Sequence, residues 1–139
     1  MDPFSSNLAK LAADSAVAAA RVAATDMKYA KIAYEATRMN KNETAKAYFE
    51  AMEMSVLARN YSNKATKVVE ELPTLPISAA KKAEDAVILH SAYANEAAFQ
   101  AGRLSKEAIK AAAEKPQSIT LPVAGGNIFL KAYVFFFEK

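Results

Sequence analysis

The stretch "NLAKLAADSAVAAARVAATDMKYAKIAYEA", residues 7–36, holds neither proline nor glycine, and most of its charges recur at intervals of three, four or seven. Lys10, Asp14, Arg21, Lys28, Lys31 and Glu35 therefore fall along one stripe of a helix, and Arg38 extends it. The opposite stripe is Leu8, Leu11, Ser15, Ala18, Val22, Thr25, Tyr29, Ile32, Ala36 and Met39. It has the repeat of a coiled-coil seam and is expected to face the core. Asp2 is placed to cap this helix, with Pro3 at its first position, where the missing N–H costs nothing. The first helix is expected over residues 3–39.

Outward from this stretch the same grammar repeats. No proline or glycine appears between Pro3 and Pro73, but "RMNKNET" (38–44) marks a break. There Asn40 or Asn42 ends one helix and caps the next, and Glu43 stands three residues after Asn40 as in a capping box. A second helix over 43–72 carries the seam Ala47, Ala51, Met54, Ala58, Tyr61, Ala65, Val68 and Leu72. Two prolines in "LPTLPI" (72–77) stop it, because each removes a backbone donor and disfavours the helical conformation of its predecessor. Ser78 is the expected cap of a third helix over 78–115. Its seam is Ala83, Val87, His90, Ala94, Ala97, Ala101, Leu104, Ala108 and Ala111, and its outer face carries Lys82, Asp85, Glu96, Arg103, Glu107 and Lys110. Helices joined by short connections lie antiparallel. The expected fold is all-α, an elongated antiparallel three-helix bundle over residues 1–115.

Composition agrees. The chain has 139 residues, 53% hydrophobic and 24% charged, with only three glycines. Alanine, the strongest helix former, occurs 32 times. Because alanine dominates the seams, the helices should approach more closely than leucine would permit, with less apolar area buried per turn.

After Pro116 the period changes from 3.6 to 2. Ile119, Leu121 and Val123 alternate with Ser118, Thr120 and Pro122, the signature of a half-buried strand. "AGGN" (124–127) supplies turn residues, and "IFLKAYVFFF" (128–137) follows, rich in the aromatic and β-branched residues that strands favour. A C-terminal apolar β-hairpin or extended tail is expected over 116–139. Ile128, Leu130, Ala132, Val134 and Phe136 share one of its faces, and Phe129, Lys131, Tyr133, Phe135 and Phe137 the other. Leaving that many large apolar groups in water forfeits on the order of 10 to 20 kcal/mol of burial. One surface of a bundle covers one face of a hairpin, so the second face calls for a partner. Phe129, Tyr133, Phe135, Phe136 and Phe137 are the expected interaction residues, meeting another copy or a partner chain by edge pairing and aromatic packing.

The net charge of +3 is mild, and tyrosines do not interleave with basic residues as in a base-stacking surface, so no specific nucleic-acid partner is expected. Without cysteine there is no disulfide, thiolate metal site or thiol nucleophile, and a lone histidine, His90, builds neither a dyad nor a multi-histidine site. His90 is expected semi-buried and hydrogen-bonded. "AGGN" is not a phosphate loop, since no Lys-Ser/Thr pair opens a following helix. "KKAED" (81–85) reads as a solvated first turn, and Met54 as core filling. No cofactor or metal is expected. An enzyme would need a carboxylate pair across helices, such as Glu35 with Glu53. No run approaches the ~20 apolar residues of a membrane span, and the N-terminus lacks the basic-then-apolar pattern of a secretory signal, which favours the cytoplasm. The function expected is that of a non-enzymatic structural or interaction protein, self-assembling through its C-terminal segment into an oligomer, filament or coat. The alternative is a small lipid- or amphipathic-helix-binding module that opens its bundle, with peripheral contact to a membrane.

Overall fold

A computed structural model describes residues 3–37 and 41–114. Three long helices account for nearly all of them: α1 (Pro3–Ala36), α2 (Lys41–Glu71) and α3 (Ile77–Glu114). At 1.5 Å per residue these rods are about 45 to 60 Å long. The expected Asp2 cap and the whole hairpin or tail over 116–139 lie outside the described residues.

Ring stacking of Tyr34 on Tyr48, with centroids 5.5 Å apart, ties the end of α1 to the start of α2. Tyr61 of α2 meets His90 and Tyr93 of α3 at 6.0 and 5.1 Å on the other side of the prolyl turn. Each neighbouring pair is thus antiparallel, and α1 and α3 run in the same direction. Asn95 accordingly donates to the Ser15 hydroxyl at 3.2 Å, and higher along the same pair of helices Gly102 faces Asp26.

The α2–α3 connection is built around its prolines. Leu72–Thr74 forms one 3-10 turn with Pro73 at its start, and the Leu75 amide donates to the Leu72 carbonyl at 3.2 Å. Leu75 is extended, as a residue before proline should be. Helix α3 begins one residue earlier than expected. The Pro76 carbonyl accepts from Ala79 and Ala80, so Ser78 sits inside the first turn and is not the cap. Helix α1 ends at Ala36 and α2 starts at Lys41, which removes Thr37 from the helix.

The apolar interior is mostly alanine, with small polar residues such as Thr44, Ser62 and Ser91 buried beside it. One cluster joins Ala9, Ala13, Ala16, Ala58, Ala65 and Ala94 with Leu72 and Val87, and a second joins Ala30, Ala33, Ala47, Ala51, Ala108 and Leu104. Half-buried Met54 packs against both, a flexible side chain filling the space where they meet. Leu72, Val87 and Thr44 are the largest side chains fully buried.

The expected seams of α2 and α3 are on the inside, with every position buried or half-buried. The expected seam of α1 is not. Leu8, Leu11, Val22, Tyr29 and Ile32 are exposed, Leu11 by 65%, and Ser15, Ala18 and Thr25 are exposed with them. Ala9, Ala13, Ala16, Ala23, Ala30 and Ala33, one position further along the helix, face the core instead. The physical reason is distance. Helices α2 and α3 present alanine, and only a row of equally small side chains lets the third backbone come close enough to touch both.

Candidate interaction surface

Helix α1 thus turns its larger apolar side chains outward, and α3 does the same on the side facing α1, where Ile88 and Phe99 are exposed. Between them runs a groove of about 440 Å³ lined by Val22 and Asp26 of α1 and by Ala98, Phe99, Gly102 and Lys106 of α3. Small residues make it concave. Gly102 is the only described glycine, and a Cβ placed there would stand 3.1 Å from the Asp26 carboxylate. The groove therefore owes part of its depth to a helix position that carries no side chain. Phe99, 66% exposed, and Val22, 55% exposed, form its walls.

The rim is charged on both sides. Arg103 pairs with Glu107 at 3.1 Å one turn on, and its Nε donates to Gln100 at 2.9 Å. Asp26 and Lys106 contribute opposite charges, and neither enters an ion pair with another described residue. At the floor, Asn95 is held by the Ser91 carbonyl at 2.9 Å as well as by Ser15.

Outside the groove the polar features are weaker. His90 is half-buried beside Tyr61 as expected, but its Nδ1 has no hydrogen-bond partner among the described residues. The stretch 81–85, expected as a solvated first turn, lies in the second turn of α3 and is not wholly solvated: Glu84 is buried, with the exposed Lys81 ammonium 3.9 Å away. Glu35 and Glu53 both point to solvent. No group of three or more metal-ligating side chains occurs among the described residues, and no described helix is long and apolar enough to cross a membrane.

Of the interaction residues expected from sequence, Phe129, Tyr133, Phe135, Phe136 and Phe137, all lie outside the described residues. The groove itself was not foreseen. Of the seam assigned to the core only Val22 lines it, and its other wall, Phe99, belongs to no predicted seam. No protein-family model matches the chain, and neither does any curated protein or solved structure.

Proposed function

We propose that the chain is a non-enzymatic interaction protein that assembles with copies of itself through its apolar C-terminal segment. The observation that carries this reading is the inverted distribution of apolar side chains. Alanine dominates the apolar interior, while Leu8, Leu11, Val22, Tyr29 and Ile32 of α1, Phe49 and Leu57 of α2, and Ile88 and Phe99 of α3 stand in water. Large apolar side chains left exposed in such number on a small bundle favour contact with another molecule. The segment 128–137 adds eight further large apolar residues, more than a slender bundle surface can cover on both faces. Light-scattering masses test it. The full chain is expected to be oligomeric, and the chain lacking residues 116–139 monomeric with its helical circular dichroism intact. Equal monomer masses overturn the proposal.

A lipid-binding reading draws on one specific feature. Exposed Lys10, Arg21, Lys28 and Lys31 accompany the outward apolar row of α1, a pattern that interfacial helices also display. Co-sedimentation with anionic vesicles at low salt, by the full chain, is its expected consequence.

A further inference from the structure

We infer that the outward row of α1 is a contact between copies of the chain, formed by two α1 helices packed antiparallel. It rests on the assembly proposed above and gives the copies a second surface at which they touch.

The row has the spacing of a helix pair. Leu8, Leu11, Ser15, Ala18, Val22, Thr25, Tyr29 and Ile32 are all exposed, and they follow one another at steps of 3, 4, 3, 4, 3, 4 and 3. That is the repeat of a two-stranded coiled coil, on the side of α1 turned away from its own bundle. The series reads the same from both ends. Two copies laid antiparallel about the level of residue 20 oppose Leu8 to Ile32, Leu11 to Tyr29, Ser15 to Thr25 and Ala18 to Val22, each pair twice by symmetry. Large side chains then meet large ones, and the two hydroxyls meet each other.

That hydroxyl pair is matched in sense. The Ser15 oxygen accepts from Asn95 at 3.2 Å, which leaves its proton to donate. Thr25 gives its proton to the Arg21 carbonyl at 3.1 Å, which leaves its oxygen to accept. A parallel pair in register would set Thr25 against Thr25, acceptor against acceptor.

Charge selects the same register. Beside the row, exposed Asp14 comes level with exposed Lys28 of the second copy, again twice, while Arg21 meets its own copy at the solvent edge as the one like-charge pair there. Sliding one copy by seven residues sets Asp14 against Glu35 and Arg21 against Lys28. Sliding it the other way leaves Tyr29 and Ile32 uncovered.

The strip is about 36 Å long and about 10 Å wide, so it hides about 360 Å² per copy. A stable interface takes about 800 Å² from each partner. The seam therefore closes only between copies already held together, and the C-terminal contact holds them at an effective concentration near millimolar.

The absence of cysteine makes the test direct. Full-length Leu11→Cys and Tyr29→Cys chains are produced alone and co-expressed, and bridging under mild oxidation is read on denaturing gels. Both positions are exposed, so the bundle tolerates the changes. The co-expressed pair is expected to bridge at least tenfold faster than either chain alone. Asp14→Lys in both chains should slow bridging at least threefold, and Lys28→Asp added to it should restore the rate. No bridging of the pair, bridging of Leu11→Cys with itself at the same rate, or indifference to the charge changes overturns the inference. A full chain that is oligomeric by mass and does not bridge leaves the C-terminal assembly standing. Bridging undiminished by removal of residues 116–139 removes that assembly and keeps the seam.

Discussion

Leu72 and Gly102 show how much a single position decides here. Leu72 is 1% exposed, and it closes the end of the bundle at the prolyl turn. Its cluster is mostly alanine, with Val87 inside it and Val68, Val69 and Leu75 half-buried against it, so truncation leaves a space that is only partly refilled. Leu72→Ala is expected to cost about 2 to 5 kcal/mol, read from the urea midpoint at unchanged slope. Gly102 runs the other way. A glycine inside a helix is worse than alanine by about 0.5 to 1 kcal/mol. The only atoms near the missing Cβ belong to the Asp26 carboxylate, the free end of a flexible side chain. Gly102→Ala is therefore expected to raise stability by up to about 1 kcal/mol in the same titration. If stability falls, Asp26 is held more firmly than its surroundings imply. Nothing in the fold asks for a glycine at that position, which directs attention to the groove it deepens.

At the scale of the helix, most of the architecture was legible and the facing of α1 was not. In α2 and α3 the predicted seams are the rows that turn inward, although Phe49 and Leu57 of α2 and Ile88 and Phe99 of α3 stand outside them and are exposed. Helix α1 contains two rows offset by one residue, Leu8-Leu11-Val22-Tyr29-Ile32 and Ala9-Ala13-Ala16-Ala23-Ala30-Ala33. Ranking by hydrophobicity chooses the first, because larger side chains gain more from burial. Packing chooses the second, because a partner surface of alanines rewards closeness over volume. The groove is hidden in part for the same reason, since one wall, Val22, belongs to the row that hydrophobicity assigns to the interior, while the other, Phe99, stands outside every predicted seam. The C-terminal interaction residues were read from alternation alone and fall outside the described residues. Ala94, fully buried where α3 meets the other helices, offers a test of this account. Ala94→Leu is expected to destabilise by at least 1 to 3 kcal/mol through overpacking, although it adds apolar volume. Leu11→Gln on the outward row should change the stability of the chain lacking residues 116–139 by no more than about 0.5 kcal/mol. Stabilisation by Ala94→Leu, seen in thermal melts, would mean that the helices are not as close as the alanine rows require.

For the whole molecule, the alanine interior sets the thermal character of the fold. A buried alanine has no side-chain torsion to freeze, so ordering this core removes little rotational freedom beyond that of the backbone. It also withdraws less apolar area from water than a core of leucine and phenylalanine. Less hydration change on unfolding means a smaller heat capacity increment, below the usual ~12 to 15 cal/mol/K per residue. Calorimetry of the chain lacking residues 116–139 is expected to return that low value, and an ordinary one would count against so lean a core. A small increment flattens the dependence of stability on temperature. Cooling and warming around the optimum then erode the bundle gently, so its tolerance is broad even where its maximum stability is modest.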